Sequence, residues 1–233
     1  MKRIGILGGM TAESTVTYYL HIVRRYQQVF GDHGYPEIVI DSLSFQQLED
    51  WMEAGEWDRI VPVLCGGLDR LAAAGADFVV IATNTMHLLI DQLRKASPLP
   101  IVSIVDATSE AVTRAGLKTV GLLGTRFTME KPFYAEGLAS HGVATLVPDK
   151  AEREAIHGVI MRELSRGVLT DRSRQVYLQI IDRLVERGAE GVVLGCTEIP
   201  LLVRPEHTKV PLFDTATIHA EAALELAVGR SGL

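Results

Sequence analysis

The sequence predicts an α/β protein of two similar lobes, each a parallel sheet flanked by helices. Two observations carry this expectation. Short apolar runs of strand length alternate with longer stretches of helical spacing, the pattern of parallel strands joined by crossover helices. The chain also repeats itself. Ile4-Gly-Ile-Leu-Gly8 returns as Val120-Gly-Leu-Leu-Gly124, and Ala74-Gly-Ala-Asp-Phe-Val-Val-Ile-Ala-Thr83 returns as Arg187-Gly-Ala-Glu-Gly-Val-Val-Leu-Gly-Cys196. A looser match links 100–108 with 211–217. The matches keep the same order and nearly the same spacing, as expected of a duplicated unit.

In chain order, strands are expected over 3–7, 37–43, 77–82 and 101–104, and again over 118–123, 143–147, 191–194 and 210–213. Several of these runs are almost continuously apolar, as parallel strands covered on both faces must be. Helical spacing covers 14–30, 57–74, 149–166 and 171–187. No proline-rich or low-complexity linker separates the halves.

The 233 residues leave ample chain for a core, and 47% hydrophobic with 22% charged residues argues against disorder. The formal charge is −6 with no clustered lysine or arginine, which disfavours nucleic acid or an anionic membrane as partner. The apolar start at Ile4 is broken by Gly8 and Gly9, too soon for a signal-peptide core, and no run reaches membrane-spanning length. A cytoplasmic protein is expected. Its two cysteines, Cys65 and Cys196, are then free thiols, each either packing or chemistry.

In open α/β sheets, ligands sit beyond the carboxyl ends of the strands. If two such lobes face each other, both sets of strand ends line one cleft. The residues after the strands are therefore the candidate site: Gly8-Gly9-Met10, Thr83-Asn84-Thr85, Gly124-Thr125 and Cys196-Thr197-Glu198. Cys196 follows Gly195 where a turn or helix begins, so backbone N–H groups there should favour its thiolate, which is both base and nucleophile. Thr83, Asn84 and Thr85 offer hydroxyls, an amide and N–H groups to a carboxylate. Met10 lies in a turn able to cradle an anion. Glu198 is placed to orient a substrate ammonium or to tune the thiol. The glycines at 5, 8 and 9 do not form the dinucleotide fingerprint, and no His, Cys or carboxylate cluster has metal-ligand spacing. No cofactor and no metal are expected.

Other candidates read as structural. Cys65 lies on the apolar face of a helix. His87, four residues after Thr83, is placed either to pack or to relay a proton in the cleft. His219 follows a helix start, and Asp106 and Asp214 sit at corresponding helix starts, where capping is the plain reading.

These motifs, in this order, resemble the signature segments of the aspartate/glutamate racemase family: Gly8-Gly9-Met10, Thr83-Asn84-Thr85-Met86-His87, Gly124-Thr125 and Gly195-Cys196-Thr197-Glu198. The resemblance spans essentially the whole chain. Glu13-Ser14-Thr15, Gly55-Glu56-Trp57-Asp58 and Phe213-Asp214-Thr215-Ala216 resemble an enteric-type subgroup. It implies lobes related by pseudo-two-fold symmetry with the active site in the cleft between them, and a C-terminal segment that crosses back. The expected division is 1–98 with 212–233, and 99–211. It also implies an isomerase, often a homodimer, that inverts an acidic amino acid, aspartate or glutamate, without pyridoxal phosphate. Two residues would act on opposite faces of the α-carbon. The common family pattern has cysteine at both positions. Here the first is Thr83, as in the enteric-type subgroup, so Cys196 and Thr83 become the catalytic pair. Met10, Asn84, Thr85, Thr125, Thr197 and Glu198 become substrate contacts, and Arg166 a candidate for the distal carboxylate. A single thiol also suits a decarboxylase or isomerase of a small dicarboxylate, and loss of one cysteine suits a non-catalytic amino-acid binding protein.

Overall fold

The computed structural model describes residues 1–232. They divide into two compact units, Met1–Ile104 with the chain from His219 onward, and Val105–Ile218.

The first unit runs β1 (Ile4–Gly8), α1 (Ala12–Phe30), β2 (Ile38–Ser42), α2 (Phe45–Ala54), α3 (Trp57–Ala73), β3 (Phe78–Ile81), α4 (Ile90–Ala96) and β4 (Ile101–Val102). Its four strands form a parallel sheet in the order β2-β1-β3-β4. The central strands β1 and β3 are buried at every residue, whereas the edge strand β2 is half-covered. That is why the first two read as unbroken apolar runs. Between β1 and α1 the chain reverses at Gly9, whose φ of +85° is left-handed and where any side chain would run into the Leu43 carbonyl. Thr11 then caps α1 by accepting from the Ser14 N–H, and Glu13 supplies negative charge in the first turn.

The second unit repeats the plan. α5 (Ile104–Arg114) leads to β5 (Thr119–Gly124), α6 (Arg126–Glu130), α7 (Pro132–Ser140), β6 (Ala144–Leu146), α8 (Lys150–Arg162), α9 (Asp171–Glu186), β7 (Gly191–Gly195), α10 (Ile199–Leu202) and β8 (Leu212–Asp214), after which α11 (Thr215–Val228) starts in this unit and from His219 onward belongs to the first. The sheet order is β6-β5-β7-β8, again all parallel and equivalent position by position to the first. Its core joins Leu123, Ile156, Ile160, Tyr177, Ile181 and Leu194 to Cys196.

The fold class is the expected one, but several boundaries differ. β4 pairs with β3, Val79 opposite Ile101, and so belongs to the first unit, while β8 pairs with β7 and belongs to the second. The expected division at 98/99 and 211/212 therefore moves to 104/105 and 218/219. A strand goes with the sheet that satisfies its backbone polar groups. The strand expected over 101–104 stops at Val102 because Ile104 already opens α5. The helix expected over 149–166 ends at Arg162, and a 3₁₀ turn over Leu164–Arg166 closes on Gly167. No helix of the described residues is long and apolar enough to cross a membrane.

Candidate active site

In the second unit, β5 and β7 are hydrogen-bonded neighbours with Gly124 opposite Gly195. Thr125 and Cys196 thus leave adjacent strands at the carboxyl edge of one sheet. Glycine is required at 195 because a Cβ there would lie 2.9 Å from the Leu123 carbonyl and 3.0 Å from Thr128. Cys196 is 7% exposed. Its Sγ–H donates to Glu198 Oε2 at 2.9 Å, and the Thr197 hydroxyl donates to the same oxygen at 2.9 Å. Glu198 is itself buried. A carboxylate held this way by two short donors is fixed in orientation.

This arrangement corrects the expected state of the thiol. Burial pushes Cys196 well above the ordinary thiol range, and the Glu198 carboxylate, through its charge and its hydrogen bond, pushes the same way. The N–H groups of Glu198 and Ile199 oppose the shift but are outweighed. The physical reason is that Cys196 is closed off from water beside a carboxylate, and removal from solvent and a neighbouring anion both disfavour a second negative charge. In the free enzyme Cys196 is a thiol hydrogen-bonded to a carboxylate, not a thiolate.

In the first unit, β1 and β3 are the corresponding neighbours, Leu7 opposite Ile81. Their carboxyl ends bring Met10 together with Thr83, Asn84 and Thr85, all four buried. The Gly9 N–H donates to Thr15 Oγ1 at 2.8 Å, and Ser14 Oγ donates to the Ala82 carbonyl at 2.7 Å, so α1 braces both loops. After Thr83 the chain forms a 3₁₀ turn over Thr85–Leu89.

His87 is completely buried in that turn. Nδ1 lies 2.8 Å from the Thr83 carbonyl, and Nε2 accepts from the Ile104 N–H at 3.1 Å. With both ring nitrogens on backbone partners, His87 is not the proton relay that the sequence left open. His219 is equally buried, with Nδ1 2.7 Å from the Tyr18 hydroxyl and Nε2 3.0 Å from the Val102 carbonyl. Its role is structural, as expected. Burial, then the neighbouring His87, lowers its pKa to about 3 against the raising effect of Val102.

The remaining candidates fall outside these clusters or are otherwise occupied. Thr125 caps α6, its hydroxyl accepting from the Thr128 N–H. Arg166 is exposed at the end of its 3₁₀ turn. Cys65 is only half-buried, beside and not within the buried stripe of Ile60, Leu64 and Leu68 on α3. Asp214 caps α11, accepting from the Ala216 and Thr217 N–H groups. Asp106 lies inside the first turn of α5 and not at its start, because that helix begins at Ile104. Among the described residues, no group of three or more His, Cys, Asp and Glu is arranged to hold a metal ion.

Tyr177 is the neighbour that the sequence hid. It is fully buried on α9, its hydroxyl donates to the Ile156 carbonyl at 3.2 Å, and its pKa is raised first by burial and further by neighbouring acidic groups, Glu163 and Glu198 among them. Its helical period with Ser173, Ile180, Ile181 and Leu184 made it indistinguishable from core.

Known proteins share this plan. The pattern of the Asp/Glu/Hydantoin racemase family matches residues 7–223. A crystal structure of a proposed Asp/Glu racemase from Yersinia pestis is 38% identical, covers 98% of this chain and 100% of its own, and superposes with a TM-score of 0.90. An aspartate racemase homologue from Pyrococcus horikoshii OT3 is 36% identical, with the same coverage of both chains and a TM-score of 0.85. The broad-specificity amino-acid racemase RacX of Bacillus subtilis (strain 168) is 22% identical over 224 residues, 95% of this chain and 96% of its own. Strand ends carrying Thr83 and Cys196 on a duplicated sheet, together with these matches, place the chain in the Asp/Glu/Hydantoin racemase family, as an isomerase of the amino-acid racemase type.

Proposed function

We propose that this enzyme inverts the α-carbon of an acidic amino acid, aspartate or glutamate, by thiol-based proton transfer without a cofactor. The observation that carries the reading is the buried Cys196 thiol at 2.9 Å from Glu198. A thiol must shed its own proton before it can take one from carbon, and Glu198 is the acceptor at hand. Transfer of the Sγ proton to Glu198 leaves a thiolate beside a neutral carboxyl. The thiolate then takes the α-hydrogen from one face of the substrate and becomes a thiol again. On the other face the Thr83 hydroxyl delivers a proton to the carbanion and takes one back from solvent, and Glu198 releases to solvent the proton that it took from the thiol, so the site returns to its starting state. Met10, Asn84, Thr85, Thr125 and Thr197 supply contacts to the substrate. Fixed donors aimed at the α-carboxylate stabilise the carbanion electrostatically, the largest contribution available without a cofactor to delocalise charge. The family resemblance supports a cytoplasmic homodimer, which sedimentation at assay concentration tests.

The two faces are not equivalent, because a threonine hydroxyl is a far weaker acid than a thiol and does not form an alkoxide near neutral pH to act as a base. The test is α-proton exchange in heavy water from each pure enantiomer of each candidate amino acid, followed by NMR. One enantiomer should exchange readily through Cys196 and the other slowly through Thr83. Thr83→Cys should narrow the gap, and Cys196→Ala should stop turnover. Equal initial exchange from both enantiomers in the wild type refutes the assignment of faces, and absence of any exchange refutes the racemase reading. A thiol held protonated in the free enzyme also suits a decarboxylase that delivers a proton to an enolate. Carbon dioxide release from a small dicarboxylate, measured beside optical rotation, separates the two.

A further inference from the structure

Two buried histidines of the first unit are left without a part in this chemistry, yet they grip one short segment from both sides. His87 accepts the Ile104 N–H at 3.1 Å, and His219 lies 3.0 Å from the Val102 carbonyl, with the turn at Ser103 between them. Their rings stand 5.9 Å apart at 76°. The partners dictate the protons. A backbone N–H can only donate, so His87 Nε2 is bare and its Nδ1–H donates to the Thr83 carbonyl at 2.8 Å. A carbonyl can only accept, so His219 Nε2 carries a proton and its Nδ1 accepts from the Tyr18 hydroxyl at 2.7 Å. Both rings are neutral and in opposite tautomers. The chain of contacts runs from α1 through His219 to the end of β4, and from the start of α5 through His87 to Thr83.

Resting on the proposed role of Thr83, we propose that His87 is the positioning residue of that role: its bridge from the Thr83 carbonyl to the Ile104 N–H sets where the Thr83 hydroxyl stands, while His219 anchors the other end of the bridged turn. Plain core histidines would not need opposite tautomers on backbone groups of the signature loop and of the neighbouring strand end. Geometry at this level matters to rate, since small displacements of a reacting group cost far more in turnover than in stability.

The experiment uses the exchange assay with His87→Asn, His87→Gln and Thr83→Ala. Asparagine keeps a donor where Nδ1 stood, and glutamine keeps an acceptor where Nε2 stood. His87→Gln should lower exchange on the Thr83 face by roughly tenfold or more while leaving exchange on the Cys196 face within about twofold. His87→Asn should recover much of that loss. Thr83→Ala separates the two ideas: if it leaves the slower exchange unchanged, the proposed role of Thr83 fails. If it abolishes that exchange while His87→Gln changes both faces equally or neither, the positioning role fails. Wild-type protein labelled with ¹⁵N-histidine covers the case in which His87→Gln does not fold. Among its seven histidine rings, the assigned His87 should be neutral and Nδ1-protonated and the assigned His219 neutral and Nε2-protonated, with the His87 Nδ1–H signal moving on addition of succinate. A His87 ring in the other tautomer, or one unmoved by saturating succinate, overturns the proposal.

Discussion

At the scale of single residues, the chemistry turns on one hydrogen bond, from the Cys196 thiol to Glu198. The same contact that offers the thiol an acceptor also holds its proton in place, because a nearby anion disfavours a second one. Replacing Glu198 with Gln removes the negative charge and leaves the burial. The thiol should then ionise at lower pH than in the wild type, though still above an exposed thiol. The dependence of kcat/KM on pH reports groups of the free enzyme. The wild type starts from the protonated thiol with Glu198 ready to take its proton, whereas in Glu198→Gln the buried thiol must first ionise to solvent, so the acidic limb should move to higher pH and the maximum rate should fall because the proton acceptor is lost. A limb that stays in place, or moves to lower pH, would show that Glu198 is not the acceptor of the thiol proton.

At the scale of elements, short irregular pieces carry the site and longer helices hold them still. α8 shows how the sequence secures such a helix. Asp149 accepts the Glu152 N–H at 2.9 Å while Glu152 accepts the Asp149 N–H at 3.0 Å, a reciprocal cap, and Glu152 also pairs with Arg183 of α9. Ile156, whose carbonyl receives Tyr177, and His157, whose Nδ1 lies 3.4 Å from the Arg126 N–H, both ride on α8. Replacing Asp149 with Ala should cost about 1 kcal/mol of stability. Urea denaturation checks the figure. Turnover should change little, since the cap is remote in sequence from every strand end of the site. A loss of activity larger than the loss of stability would mean that α8 sets the site directly.

At the scale of the whole molecule, duplication supplies two equivalent sheets, and the chain spends them differently. The first unit ends β3 in a threonine backed by a histidine, and the second ends β7 in a thiol backed by a carboxylate. The first arrangement makes stability sensitive to acid. His219 is held neutral with a pKa of about 3 against 6.5 when exposed. Below about pH 6.5 the unfolded chain takes up a proton that the folded chain refuses, so this contribution to stability is present above that pH and is lost as the pH falls toward 3. The slope it adds is at most about 1.4 kcal/mol per pH unit. His219→Gln should lower stability at neutral pH but flatten its decline from about pH 6 to pH 4.5. Denaturant melts at a series of pH values measure this, and an unchanged slope would assign the acid sensitivity elsewhere.

The alternation of strands and helices, the internal repeat and the identity of the strand-end residues were all determined by the sequence itself. Each is written in local periodicity or in literal recurrence, and neither needs a partner from elsewhere in the chain. Thr83 and Cys196 could be singled out because the repeat sets them at equivalent strand ends. What those residues are in the folded protein was decided only by tertiary structure. The sequence suggested a thiolate at Cys196; burial, and a Glu198 side chain turned back upon it, made it a thiol. His87 was open between packing and relay until Ile104, seventeen residues on, occupied its second nitrogen. The proton positions of His219 depend on Tyr18, 201 residues away, and on Val102, 117 residues away. The limits of the two units followed the same logic, since β4 and β8 read alike as strands and only their pairing assigned each to a sheet. Protonation, tautomer and domain membership are properties of contacts between distant segments, and a one-dimensional pattern contains the segments without their meeting.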